Sequence, residues 1–379
     1  MSVLPRGFKT AAVAAGIKKS GLDLGLLYSE QPAAAAAVFT KNAFPAAPVI
    51  VSRQHMMDSG GVLRAVLVNA GNANAATGAA GLAAARSSAE QVAGRLGCKT
   101  EEVFVASTGV IGRPLPVHRI SKAIPELATR LQDGDPEGFA RAIMTTDTFA
   151  KIAARESAGV RIVGFAKGAG MIHPDMATML AFVITDAKAD SAVLDRALRY
   201  AVDRSFHAVT VDGDTSTNDV VLVLANGASG IALEESAFRD LLLDVCVDLA
   251  KAIARDGEGA TKFVEFNIEG APSDEAARHI GRTIARSPLV KTAIYGCDPN
   301  WGRVLAAIGN AGVPLSSSDI GLYIDDISLI GGDLTAAAEK MKSKEIRFRV
   351  SLNSGAGRAR VWTCDLTEGY IRINADYTS

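Results

Sequence analysis

One hydroxyl in this sequence stands where a nucleophile could be built. Thr178 closes the stretch KGAGMIHPDMATML at 167–180, in which glycines and small residues lead straight into the apolar, β-branched run 181–185. Glycines let a backbone contort, and a hydroxyl at the head of a strand that reads as fully buried is sheltered from water. A tight turn feeding a core strand explains the same residues, so the stretch needs partners elsewhere. A threonine hydroxyl is a poor nucleophile without a base; a free α-amine on the same residue, with a pKa of about 7.7–8.0, is such a base. That requires a cut before Thr178. Thr178 Oγ1 attacks the carbonyl of Ala177, an N-to-O shift frees the Thr178 amine and leaves an ester, and water hydrolyses that ester to release the Ala177 carboxyl and restore the hydroxyl.

Other residue types could complete the chemistry. Thr108 and Gly109, in STGVIG at 107–112, can turn backbone N–H groups toward a bound oxygen, as an oxyanion hole requires. Lys167 lies eleven residues before Thr178, and Glu258 sits in DGEGATK at 256–262, where it reads equally as a solvated loop acid. TTDT at 145–148 is either a helix-capping cluster or a ligand loop, and NAGNAN at 69–74 either offers amides to a ligand or starts a capped helix. His173 and Asp175 in HPD are a base and its orienter, or simply a turn. Asn300, Trp301 and Arg303 in DPNWGR at 298–303 are more specific than a turn demands.

Several classes are disfavoured. The five histidines form no i, i+4 pair, and no GxSxG, GxGxxG or GxxxxGK[ST] element occurs. Asp212, Asp214 and Ser216 have the opening spacing of a calcium loop, but Thr217 replaces its glycine and Val223 its bidentate glutamate. No metal and no cofactor are expected. The four cysteines include no CxxC pair, which fits a reduced cytoplasm rather than zinc or disulfides. A formal charge of -1 leaves no footprint for nucleic acid or an anionic membrane, and no apolar run reaches about 18 residues.

The positioning elements follow from pattern. Short strands are expected at 11–15, 24–27, 33–39 and 48–52, then a strand at 64–69, an Ala-rich helix at 79–96 and a strand at 103–106. Helices at 118–131 and 135–144 precede a strand at 160–165; a helix at 191–206, a strand at 220–224 and a long helix at 236–255 come next. A strand at 263–268, a helix at 273–285, a strand and turn-rich loop at 291–303, a hairpin of 346–352 with 358–365, and a last strand at 370–376 complete the chain. Helices and strands alternate in blocks, which predicts a layered α/β fold: mixed sheets sandwiched by helices.

The motifs at 69–74, 107–109, 145–148, 167–180, 211–219, 256–262 and 298–303, in this order over essentially the whole chain, resemble the ornithine acetyltransferase (glutamate N-acetyltransferase) family of arginine biosynthesis. The resemblance implies a self-processing fold shared with aminopeptidases, cleavage between Ala177 and Thr178, and chains 1–177 and 178–379 intertwined as two copies of each. It implies Thr178 as the acetyl-carrying nucleophile, Thr108 and Gly109 as oxyanion stabilisers, and Thr145 or Thr146, Lys167, Thr178, Glu258, Asn374 and Ser379 in substrate binding. The substrates would be N2-acetylornithine and glutamate, with acetyl-CoA a further donor in some members. The family more often has Ser at Ala169 and Asn at Asp175, which alters local hydrogen bonding rather than the nucleophile. The rival readings are a self-cleaving aminopeptidase or amidohydrolase, usually built on serine, and a non-catalytic binding protein.

Overall fold

The computed structural model describes residues 4–131, 136–173, 179–316 and 319–376. In order these form β1 (Phe8–Val13), β2 (Leu24–Phe39), α1 (Ala47–Asp58), β3 (Val62–Asn72), α2 (Gly78–Leu96), β4 (Val103–Val110), α3 (Val117–Arg130), α4 (Pro136–Ala142), β5 (Lys151–Ser157), β6 (Val160–Lys167), β7 (Leu180–Thr185), α5 (Ser191–Asp203), β8 (Val220–Ala225) and α6 (Glu235–Arg255). The second part comprises β9 (Phe263–Ala271), α7 (Asp274–Ala285), α8 (Pro288–Tyr295), α9 (Trp301–Asn310), β10 (Gly321–Ile324), β11 (Ile327–Ser328), α10 (Leu334–Lys340), β12 (Glu345–Ser351), β13 (Gly357–Cys364) and α11 (Glu368–Asp376).

β2 joins two layers. Its first half pairs antiparallel with β1 and β3, its second half with β8, and its register with β3 breaks between Tyr28 and Ala33. The sheet order is β4-β3-β2-β8-β7-β6-β5, with β1 beside β2. In a flat sheet Phe39, at the far end of β2, could not meet Phe104 on β4, yet their rings stack with centroids 6.0 Å apart. The sheet therefore doubles over. Alternate residues of β3 and β4 (Val66, Val68, Phe104) face those of β6 to β8 (Phe165, Phe182, Leu222) in one apolar core. The opposite residues pack outward, against α2 and α3 on one side and against α5 and α6 on the other. The result is helix, strand, strand, helix in layers, with strands buried on both faces; this is the α/β class and layering predicted.

The second sheet, β11-β10-β12-β9-β13, carries α7 to α10 on one face. Trp362 and Phe263 from its other face enter the α5/α6 core, and the Trp362 indole donates to Glu265 (2.8 Å).

Five local expectations give way to tertiary contacts. Residues 48–52 belong to α1: Pro48 suits a first turn, and the helix lets Ser52 hydrogen-bond both the carbonyl and the N–H of Val105. The segments at 24–27 and 33–39 are one strand, β2. Residues 291–295 are helix rather than strand and 301–303 open the next helix, with the expected turn-rich loop at 296–300 between them, because Ser287 and Asn300 cap α8 and α9 and buried Lys291 donates to Thr363 (3.0 Å) on β13. The segments 346–352 and 358–365 make no hairpin; they flank β9, one parallel and one antiparallel. Residues 370–376 lie in α11, which buries none of its residues and so has no inward face to alternate.

Candidate active site

β6 ends on Lys167, whose ammonium is buried. Burial pulls its pKa down, Asp147 pulls it back up, Lys151 lowers it further, and Asp219 and Glu258 raise it. The Asp147 carboxylate accepts from Lys151 Nζ (2.7 Å), from the N–H of Gly168 (2.7 Å) and from the N–H of Thr145 (3.0 Å). Burial opposes its charge, but Lys167, Lys151 and these donors prevail and hold its pKa at about 2. Lys151 is also buried and reaches Asp256 (2.5 Å), which binds the Thr148 N–H and hydroxyl as well. The loop at 145–148 is thus nailed to the loop at 256–259 through one lysine.

Glu258 lies over the glycines after Lys167. Its N–H donates to Ala169 O (2.9 Å), and a Cβ on Gly170 would fall 2.3 Å from its carboxyl carbon. Asn374 of α11 donates to Glu258 Oε2 (2.8 Å). Asp212 accepts from the N–H groups of Met171 (2.6 Å) and Ile172 (2.9 Å), so the acidic loop serves the same stretch. Asp219 then fixes the far side of residues 174–178: its Oδ1 accepts the N–H of Met179 (3.0 Å), just before β7. Asp219 is fully buried and its Oδ2 has no partner among the described residues; burial keeps its pKa well above the usual range.

The Thr108 end of β4 comes to the same place. Asn218, beside Asp219, donates to Ser107 O (2.8 Å) and to Ala73 O (2.7 Å). The Thr108 hydroxyl is buried without a hydrogen-bond partner among the described residues. Gly109 has φ +130° and lies so close to β3 that a Cβ would sit 2.4 Å from the carbonyl carbon of Gly71. Thr108 and Gly109 therefore end a strand at a bulge opposite Asn72, rather than forming a free loop.

The structure thus gathers Thr108, Gly109, Thr145, Lys167, Glu258 and Asn374 around one region, with Thr146 following Thr145 in the same loop. Ala177, Thr178, Asp175 and Ser379 lie outside the described residues. Asn69, Asn72 and Asn74 spend their amides on the loop itself, on Asn72 O, on Arg113 and Pro114 carbonyls, and on Gly81 O. Asn300 and Arg303 cap and brace α8 and α9. Sequence reasoning assigns no role to Asp147, Lys151, Asp219 or Asp256; Asp147, Asp219 and Asp256 stand inside motifs, whereas nothing local marks Lys151. A cavity of about 370 Å³ between α5, α6 and the second sheet, lined by Arg204, Arg278, Arg358 and Arg360, includes none of these residues.

Dry carboxylates and a lysine at the end of β6, with a spare hydroxyl at the end of β4, are the equipment of an acyl-transfer enzyme on a layered α/β scaffold: groups to move a proton and a donor to hold an oxyanion. The comparisons narrow this class. Residues 9–379 match the model of the ArgJ family, and the chain belongs to that family. It is 50% identical to the arginine biosynthesis bifunctional protein ArgJ of Thermus thermophilus, over 99% of each chain, and 48% identical to that of Geobacter sulfurreducens, over 98% of this chain and 99% of the other. A solved ArgJ structure from Bacillus halodurans is 41% identical with a TM-score of 0.50, covering 52% of this chain and 98% of its own.

Proposed function

We propose that Thr178, freed by cleavage after Ala177, carries acetyl from N2-acetylornithine to glutamate. Membership of the ArgJ family makes the chain an acetyltransferase of arginine biosynthesis acting on small amino-acid substrates. In the first half-reaction the Thr178 hydroxyl gives its proton to the α-amine and attacks the acetyl carbonyl; Thr108 and Gly109 hold the oxyanion, and ornithine leaves with a proton. In the second, the amine of glutamate attacks the acetyl ester and Thr178 recovers its proton. This is ping-pong transfer.

The observation that carries the reading is the grip of Asp219 on the Met179 N–H. It anchors the residue after Thr178 beside Lys167 and within two residues of the Thr108 tether. The Bacillus halodurans chain, matched over nearly all of itself yet over half of this one, is about the length a mid-chain cut leaves, which supports chains 1–177 and 178–379. Thr145, Thr146, Lys167, Glu258, Asn374 and Ser379 would bind substrate. A cytoplasmic assembly of two copies of each chain, without a bound cofactor, completes the proposal; among the described residues no helix is long and apolar enough to cross a membrane.

Assay of acetyl transfer from N2-acetylornithine to glutamate tests this directly. Release of free acetate without transfer would favour the aminopeptidase or amidohydrolase alternative, and replacing N2-acetylornithine with acetyl-CoA tests the second donor.

Two substitutions separate site from scaffold. Thr108→Ala removes a buried hydroxyl that the fold leaves unpaired, so stability should hold or rise slightly while kcat drops about 100-fold; an unchanged kcat would remove Thr108 from the site. Gly170→Ala drives a methyl into the Glu258 carboxylate, the far end of a flexible side chain. The fold should survive with Glu258 displaced from Asn374, and KM should rise about 10-fold. Unaltered steady-state kinetics would count against Glu258 as a substrate contact.

A further inference from the structure

Lys18 was not among the candidate residues, yet it touches the same region. It lies in the connection between β1 and β2, where the Asp23 carboxylate accepts the N–H groups of Ala15 (2.6 Å), Ile17 (2.5 Å) and Lys18 itself (2.9 Å) and so fixes the turn. Its stem packs on Gly71: a Cβ there would come within 2.8 Å of Lys18 Cγ. Gly71 in turn lies against Gly109, so one glycine separates Lys18 from the proposed oxyanion donors. The Lys18 ammonium donates to Met144 O (3.2 Å), next to Thr145. It makes no ion pair among the described residues; burial lowers its pKa, and Asp23 and Asp147 attract it only at a distance.

The other two cations here already face carboxylates of the protein. Lys151 is clamped by Asp147 and Asp256, and Lys167 is buried among Asp147, Asp219 and Glu258. The substrates need one more. The nitrogen that loses or gains acetyl is bonded to Cα, and the α-carboxylate is bonded to that same carbon. Wherever Thr108 and Gly109 hold the acetyl oxygen, the α-carboxylate is therefore only a few bonds away, and water is replaced there by protein groups that must neutralise it.

Building on the acetyl-transfer reading above, we infer that Lys18 binds the α-carboxylate common to N2-acetylornithine and glutamate. This leaves Lys167 for the reacting oxygen and Glu258 for an ammonium. It also explains why a lysine is held half-buried by a dedicated aspartate turn without a direct ion pair among the described residues.

The test uses the processed protein and an acetyl donor lacking the carboxylate, N-acetylputrescine. Lys18→Met keeps the stem against Gly71 and removes the charge. KM for N2-acetylornithine and for glutamate should each rise about 10- to 100-fold with kcat changed much less, Lys18→Arg should recover part of the loss, and N-acetylputrescine should be a poor donor for wild type and no poorer for Lys18→Met. Equal KM values in Lys18→Met and wild type, or the same penalty on N-acetylputrescine, would overturn the assignment. Should Lys18→Met fail to fold or process, mass-spectrometric footprinting of wild-type lysines decides: saturating N-acetylglutamate should slow labelling of Lys18 at least about 10-fold and N-acetylputrescine should not, and equal labelling in both refutes it. Wild type that transfers no acetyl at all would instead sink the reading beneath it.

Discussion

Replacing Thr178 with alanine is expected to leave one uncut chain of 39.4 kDa that transfers no acetyl. Both losses have one cause. Without the hydroxyl nothing attacks the Ala177 carbonyl, so no ester forms, no cut occurs and no α-amine is released to act as base. The scaffold should be intact, since Asp219 holds the Met179 N–H and β7 pairs with β6 and β8 through backbone atoms that a side-chain change leaves in place. Denaturing mass spectrometry reads the outcome: two fragments in wild type, one species in the variant. Two fragments from Thr178→Ala would transfer the nucleophile's role to another residue. A single chain in wild type would remove both the acetyltransferase and the aminopeptidase schemes.

Lys151→Met should have the largest effect on stability, about 3–5 kcal/mol, seen as a fall of roughly 5 °C in Tm. Among the described residues Lys151 is the only ammonium in contact with both Asp147 and Asp256, and all three side chains are essentially dry. Removing it leaves two buried carboxylates facing each other, with Lys167 and the more distant Lys18 as cations near Asp147. Adding Asp256→Asn removes one of those charges and should restore part of the loss; a Tm within about 1 °C of wild type in Lys151→Met would refute the clamp. The pH dependence has a definite sign. Asp147 is held at about 2 in the fold against about 3.9 when unfolded, so its contribution of ~2–3 kcal/mol is complete above about pH 5 and is lost progressively as pH falls through about 4 to below about 2. Lys151→Met should shrink that acid limb, because one of the two cations that depress Asp147 is gone.

The clamp also bears on function, because Asp147 touches Gly168 and Thr145 while Asp256 opens the loop that presents Glu258. Local sequence hinted at half of this. The motifs at 145–148 and 256–262 were visible as unusual clusters, but neither composition nor spacing says that Lys151, an unremarkable residue opening a strand, lies between them. Lys18 is equally silent: its meaning comes from Gly71 and Gly109, which are 53 and 91 positions further along the chain.

The errors in reading secondary structure share a reason. Residues 291–295 and 370–376 carry strand-like composition, and short apolar runs are ambiguous between strand and helix until something packs against them. Lys291 reaching β13 settles the first, and α11, which buries none of its residues, has no inward face to alternate. Pairing was no more legible: 346–352 and 358–365 are joined by a turn-forming NSGAG, but β9 inserts between them from far upstream because its Phe266 and Ile268 complete the core under α7.

What the sequence determined by itself was the layered α/β class, the long helices, and the order of small motifs that marks the family, because those depend on local periodicity and residue identity. The tertiary structure alone decided that β2 doubles its sheet over, bringing Thr108 at the end of β4 beside Asn218 and Asp219 at the head of β8. It also decided that one buried lysine binds two loops. Such contacts join residues about a hundred positions apart, and their energy comes from excluding water around charges that no local pattern records.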